Sequence, residues 1–285
     1  MPASFVCRVG SVAEQPTIAL RDGGAIPQLG FGVFQIPPGS ETRGAVEAAL
    51  ATGYRHVDTA AVYRNEADVG AAIRASRLAS GSVWVTTKLA NADQGAATAR
   101  RAFEASLERL GLEAVDLYLL HWPHERRLES WRVLEQLHAE GLARSIGVSN
   151  FLARHLDELL ANASVPPAVN QIEVSPFLYR SREDTLRRCA EEGIVVEAYS
   201  PLTKGRRLDD STVARVATEV GRTSAQVLIR WSLQKGFVVL PRSSNAGRIA
   251  ENAAVFDFAL DDAQMARLDA LDEGLTTGWD PARQT

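Results

Sequence analysis

The 285-residue sequence predicts an α/β fold of the (β/α)8 barrel class, a TIM barrel, with a short N-terminal β-hairpin closing the barrel bottom. Three observations carry that reading. Short apolar runs alternate with amphipathic stretches along the whole chain, with no Gly/Ser linker, low-complexity tract or charge block between them. The runs number eight, at residues 29–34, 55–57, 83–87, 115–120, 145–148, 168–172, 194–198 and 237–240. Several are β-branched without polar alternation, as strands buried on both faces should be. Eight strand-helix units favour a closed parallel barrel over an open sheet. One domain over residues 1–285 is expected, with residues 1–15 as a loosely ordered extension.

The elements follow in order. Residues 17–20 and 25–26 flank Arg21-Asp22-Gly23-Gly24, a turn sequence that predicts the hairpin. Ser40 is placed to start the helix after the first run. Phe103, Leu107 and Leu110 recur at helical spacing, as do Leu152, Leu156 and Leu159, and Val213, Val216 and Val220. Ser181-Arg182-Glu183-Asp184 and Thr223-Ser224-Ala225-Gln226 have the spacing of capping boxes, in which the first hydroxyl and the fourth side chain satisfy each other's backbone N–H groups.

Composition narrows the function. Apolar residues make up 46% and charged residues 23% of the chain, ordinary values for a globular protein. The formal charge is −4 and the basic residues are scattered apart from Lys204, Arg206 and Arg207, so no nucleic-acid surface is expected. Two cysteines, Cys7 and Cys189, make no disulfide framework and fit no metal motif, which predicts a reducing, cytoplasmic setting. The first fifteen residues lack a secretory pattern, and no segment is long and apolar enough to span a bilayer, so no membrane partner is expected. No G-x-G-x-x-G follows a strand and no P-loop sequence occurs. A dinucleotide would have to be held without a Rossmann domain.

Barrel enzymes carry their chemistry at the carboxyl ends of the strands. Past the second run come Asp58 and then Tyr63, past the third Lys88, and past the fourth His121. The fifth leads to Ser149 and Asn150, the sixth carries Gln171, the seventh ends at Tyr199 and Ser200, and the eighth leads to Arg242 and Ser243. Any one of these has a plain structural explanation, as a cap, a rim charge or a packed ring. Their convergence on one rim points to an active site. Asp, Tyr, Lys and His without an obvious nucleophile suit hydride addition to a carbonyl, whose oxygen needs a proton donor and a polarising hydrogen bond. Tyr63 would give the proton. Lys88 would lower its pKa by stabilising the phenolate, Asp58 would hold Lys88, and neutral His121 would donate to the substrate oxygen.

The segments around these residues resemble the aldo-keto reductase family. They are G-Y-R-H-V-D-T-A (53–60) with Tyr63-Arg64-Asn65-Glu66, T-T-K-L (86–89), V-D-L-Y-L-L-H-W-P (115–123), S-I-G-V-S-N-F (145–151), A-V-N-Q-I-E (168–173), A-Y-S-P-L (198–202), V-L-P-R-S (239–243) and Arg248-Ile249-Ala250-Glu251-Asn252. They run in family order along nearly the whole chain, and the likeness is nearest to bacterial members that reduce diketogluconate and small dicarbonyls. The resemblance implies a tetrad of Asp58, Tyr63, Lys88 and His121. It implies that Ser149, Asn150 and Gln171 hold a nicotinamide amide, that Tyr199 stacks on the ring, and that Gly32, Val33 and Phe34 line the same side. Ser200, Pro201, Leu202, Arg242, Ser243, Ser244, Arg248, Glu251 and Asn252 complete the implied cofactor contacts. A helix start beside Arg242 and Arg248 suits a phosphate, which favours NADPH over NADH.

The pattern departs from the family at Ala90, where Trp is common, and at Val174-Ser175-Pro176 after Gln171-Ile172-Glu173, where His-Pro is common. The loop after His121 and the tail beyond Gly274 are short. A more open pocket lined by Phe34, Ala90, Trp122 and Trp279 is therefore expected, in a monomeric enzyme acting on a small carbonyl compound. Two alternatives stand beside this reading. His121-Trp122-Pro123-His124 brings two histidines together as in a metal hydrolase, but no further ligand accompanies them and the proline disfavours a helical pair. A cofactor-binding protein without catalysis could use the same scaffold, and the complete tetrad argues against it.

Overall fold

The computed structural model describes residues 15–281. The extension expected at residues 1–15 lies, apart from Gln15, outside the described residues.

The chain opens with an antiparallel hairpin of β1 (Thr17–Ala19) and β2 (Ala25–Pro27), turned at Asp22, Gly23 and Gly24. Eight parallel strands follow: β3 (Phe31–Gly32), β4 (His56–Asp58), β5 (Trp84–Leu89), β6 (Val115–Leu120), β7 (Ala143–Ser149), β8 (Val169–Glu173), β9 (Val195–Tyr199) and β10 (Val238–Leu240). They pair in sequence order from β3 to β10. Leu29 bridges Val239 in parallel, and the Gly30 and Gly32 N–H groups donate to the carbonyls of Val239 (2.9 Å) and Pro241 (3.1 Å). The first strand thus meets the last, and the sheet closes into the barrel that the apolar runs foretold. Closure leaves no edge to template unwanted pairing.

Helices α1 (Ser40–Thr52), α2 (Glu66–Ala75), α3 (Ala99–Leu110), α4 (Arg127–Ala139), α5 (Ala153–Leu160) and α6 (Glu183–Glu191) each return the chain to the next strand. The crossover from β9 to β10 holds two helices, α7 (Ser211–Val220) and α8 (Ser224–Gln234), and α9 (Ala246–Ala253) and α10 (Asp262–Asp269) follow β10. The expected helical stripes face inward: Phe103, Leu110, Leu156, Leu159, Val213 and Val216 are buried. Each such side chain contributes about 1.5–3 kcal/mol relative to exposure.

The caps divide. Thr223 and Gln226 form the expected box at the start of α8. Ser181 does not cap α6. Its hydroxyl and N–H both engage Asp272, and a 3-10 turn (Arg180–Arg182) intervenes before the helix. Ser40 lies inside the first turn of α1, where Gly39 takes the cap position and gives its N–H to the Asp68 carboxylate at 2.7 Å. Ser181 is held instead by an aspartate distant in sequence, and Ser40 is the first residue of its helix rather than the cap before it.

The hairpin seals the bottom of the barrel. Leu20 and Ile26 pack with Leu117, Leu119, Ala168, Val169 and Val238 in an apolar cluster separate from the larger one between sheet and helices. Gly30 is required by close packing, since a Cβ there would lie 2.5 Å from Leu240 and 2.6 Å from the His56 ring. With the bottom sealed, the carboxyl ends of the strands form the rim at which barrels of this class receive their ligands.

Candidate active site

Three successive strands deliver four ionisable groups to one point on that rim. β4 ends in Asp58, and the short 3-10 turn after it (Ala61–Tyr63) lifts Tyr63 over the barrel mouth. That turn is tied down from below. The Thr59 hydroxyl donates to Asn65 Oδ1 at 2.8 Å, and Asn65 Nδ2 donates to the Val33 carbonyl at 3.1 Å. Lys88, near the end of β5, is fully buried. Its Nζ donates to both Asp58 oxygens at 2.7 Å and to the Thr59 carbonyl at 2.8 Å, and lies 3.5 Å from the Tyr63 hydroxyl. His121, the residue after β6, packs edge-on against the Tyr63 ring with centroids 5.6 Å apart.

Electrostatics assign the protons. Burial, with the Lys88 charge nearby, lowers the His121 pKa from 6.5 to about 3, so its imidazole is neutral. Tyr63 moves against the expectation that Lys88 would make it more acidic. Burial, reinforced by the Asp58 charge, holds its hydroxyl well above the ordinary value of 10. The reason is geometric: the ammonium spends its short contacts on Asp58 and Thr59 and meets the phenol only at its longest. Tyr63 is therefore a fully protonated donor, with a cation in reach once it gives up the proton.

Beside the tetrad, the ends of β7, β8 and β9 form a connected amide-rich patch. Ser149 Oγ donates to the Gln171 carbonyl at 2.9 Å. Asn150, held at φ +65°, donates to Ser149 Oγ and the His121 carbonyl and accepts from the Tyr199 hydroxyl at 2.8 Å. Gln171 Nε2 donates to Asp58 Oδ2 at 2.8 Å and to Glu197 Oε2 at 2.6 Å. Both of its N–H groups are thereby used, which leaves Oε1 to accept from a ligand. Donors and acceptors so arranged fit a planar carboxamide, and the partly buried Tyr199 ring beside them fits an aromatic face.

The rim is uneven. Gly32 and Val33 are buried, and their N–H groups are committed to Pro241 and Asp58 carbonyls. Phe34 stands exposed with its ring 4.9 Å from that of Tyr63. Ala90 is buried, and Trp122 meets the largely exposed Trp279 at 6.1 Å between ring centroids. Ser200 (φ +51°), Pro201 and Leu202 turn away from β9, and Ser200 accepts from the Thr277 hydroxyl at 3.2 Å. Lys204 Nζ reaches the Thr277 carbonyl at 2.9 Å and stands 5.8 Å from the Phe34 ring centre, so the tail is fastened across this side of the mouth.

Past β10 the expected residues separate into two groups. Arg242, Ser244 and Arg248 are exposed, and neither arginine has an ion pair among the described residues. Arg242 donates to the Gln35 carbonyl. Asn245 caps α9 by accepting from the Arg248 N–H at 3.0 Å, with buried Ser243 bracing it. Available guanidinium groups at a helix start suit a phosphate. Glu251 is half-buried and accepts from the Thr223 hydroxyl at 2.6 Å, and Asn252 is buried.

Sequence reasoning missed the groups beneath the rim. Glu197 and His56 are both fully buried inside the barrel, 3.4 Å apart, with the Thr86 hydroxyl 3.0 Å from the same imidazole nitrogen. Burial and the Asp58 charge raise Glu197 to about 8, and burial lowers His56 to about 3. The signal was present, a glutamate at an inward position of the apolar run 194–198, but attention to residues after each run passed over it. Among the described residues no group of three or more His, Cys, Asp or Glu could hold a metal, and no helix is long and apolar enough to cross a membrane.

Comparison with known proteins agrees with this geometry. Residues 28–273 match the Aldo/keto reductase family. Glyoxal reductase of Bacillus subtilis (strain 168) is 43% identical, over 93% of this chain and 96% of its own. Morphine 6-dehydrogenase of Pseudomonas putida is 46% identical, over 94% and 95%. The crystal structure of a Bombyx mori aldo-keto reductase in complex with NADP superposes with a TM-score of 0.87 at 34% identity, over 93% and 95% of the two chains.

Proposed function

Since the chain belongs to the aldo/keto reductase family, we propose that it reduces aldehydes, ketones or α-dicarbonyls to alcohols with NADPH, and that Tyr63 is the proton donor. The observation that carries the reading is the Tyr63 hydroxyl, kept protonated by its surroundings yet 3.5 Å from the Lys88 ammonium. The nicotinamide would supply the hydride. Ser149, Asn150 and Gln171 are suited to hold its carboxamide, and Tyr199 to support its ring.

The chain's own part is to manage the oxygen. His121, neutral, donates an N–H to the substrate carbonyl and orients it beside Tyr63. As charge builds on that oxygen, Tyr63 gives up its proton. The ammonium of Lys88 stabilises the phenolate left behind, and Asp58 keeps that ammonium in place. Phe34, Trp122 and Trp279 supply apolar walls, and Ala90 leaves open the space a larger side chain would fill. Such a site suits small dicarbonyls, in keeping with the glyoxal reductase likeness, and leaves room for a bulkier substrate, in keeping with the morphine 6-dehydrogenase likeness.

Exposed Arg242 and Arg248 favour a 2′-phosphate, hence NADPH over NADH. Oxidation of NADPH in the presence of glyoxal, methylglyoxal, aromatic aldehydes and keto-sugars tests the reaction, and a parallel series with NADH tests the cofactor. Turnover of at least one dicarbonyl with NADPH is expected. Arg248→Ala should raise the KM for NADPH by about 10-fold or more, the worth of one charge-assisted hydrogen bond, and leave that for NADH unchanged. Equal use of both cofactors by the parent enzyme would refute the preference.

A further inference from the structure

Beneath the tetrad the barrel holds an acid that the reaction as described does not use. Glu197 pairs in register with Gln171 on β8 and Val238 on β10, and its side chain is wholly buried. Among the described residues no ammonium or guanidinium makes a direct contact with it, although the Lys88 charge acts on it from nearby. The Lys88 ammonium is committed to Asp58 and Thr59, and the neighbouring imidazole of His56 is neutral. The groups that face it are Gln171 from β8, His56 and Asp58 from β4, Lys88 and Thr86 from β5, and Tyr63 above. Glu197 Oε1 has no hydrogen-bond partner, although it lies 3.4 Å from His56 Nε2. A proton on that oxygen, turned toward the imidazole nitrogen, removes the cost of an unpaired buried charge.

We propose that Glu197 is a positioning residue for the reduction: held as a neutral acid against His56, it clamps the Gln171 carboxamide so that one N–H supports Asp58 and Oε1 faces the cofactor. The clamp is selective because an amide has two N–H groups and both are taken by carboxyl oxygens inside the barrel. Rotation of Gln171 would turn its carbonyl against two acids and take a hydrogen bond from Asp58, the group that orients Lys88. Loss of the Glu197 proton would add a second negative charge next to Asp58. That charge would oppose phenolate formation at Tyr63 and draw on the Lys88 ammonium. The inference rests on the roles proposed above for Gln171 and Tyr63.

The test compares Glu197→Gln, which keeps an acceptor without a titrating proton, with Glu197→Leu, which removes the acceptor. NADPH binding by fluorescence quenching and kcat for methylglyoxal reduction are followed across pH. The wild type should lose kcat as pH rises through about 8, the value that burial gives Glu197. Glu197→Gln should lack that alkaline limb. Glu197→Leu should lose about tenfold or more in both NADPH affinity and kcat at every pH, and Glu197→Gln should recover most of this loss. An unchanged alkaline limb in Glu197→Gln, or wild-type NADPH affinity in Glu197→Leu, overturns the proposal. If Glu197→Leu does not fold, the Glu197→Gln profile decides alone. An inactive Tyr63→Phe together with an unchanged Glu197→Gln profile overturns this inference only, whereas a fully active Tyr63→Phe removes the reading beneath it.

Discussion

Each group of the proposed tetrad owes its protonation state to what surrounds it. Tyr63 is kept a phenol by burial and by the Asp58 charge, and in the proposed reaction the Lys88 cation matters when the proton leaves. Two of the buried histidines follow the same logic and are likewise held neutral. His121 and His56 both fall from 6.5 to about 3 because the interior disfavours an imidazolium. For each, the unfolded chain binds the extra proton first. Their contribution to stability is therefore fully present above pH 6.5 and is lost as pH falls toward 3. A nitrogen NMR titration should find His121 neutral throughout pH 5–8, and protonation inside that window would contradict its role as a neutral donor. These states were only partly legible in the sequence. The tetrad could be found by reading the residue past each strand, but the direction of the Tyr63 shift depends on which contact of Lys88 is short, and spacing does not report distance.

At the scale of elements, local rules held where no distant partner competed. The Thr223 box formed as its sequence spells, and its hydroxyl also reaches Glu251 and so joins α8 to α9. Removing both contacts with Thr223→Ala should destabilise the fold by about 1–2 kcal/mol, read as a lowered urea midpoint with unchanged slope. A wild-type midpoint would show that the cap is redundant. Ser181 had the same local pattern and yet is held by Asp272. The strand ends are where element geometry becomes function. Asn150 and Ser200, both in the left-handed region, turn the chain sharply off β7 and β9. Those turns bring the Asn150 amide and the Tyr199 hydroxyl together at 2.8 Å.

Over the whole molecule, the barrel interior divides by height. An apolar plug from the hairpin fills the bottom, a buried polar layer of His56, Thr86, Gln171 and Glu197 spans the middle, and the tetrad opens at the top. The closed barrel and its active rim were readable because apolar runs and rim residues are sequence patterns. The middle layer was not, since Glu197 and His56 stand inside apolar runs and only closure of the sheet brings them together. At the corner proposed to take the phosphate, Arg242 and Arg248 are exposed without an ion pair among the described residues, whereas the Thr223–Glu251 contact and the burial of Asn252 are tertiary features that no motif announces. Central to the proposed reaction is the role of Tyr63 as the group that moves the proton. The most direct measurement pairs NADPH binding with single-turnover reduction of methylglyoxal by Tyr63→Phe. The expected result is NADPH affinity within about twofold of wild type and reduction slowed by about 10²–10⁴-fold, the usual worth of a positioned general acid. Reduction at the wild-type rate by that variant would contradict the account.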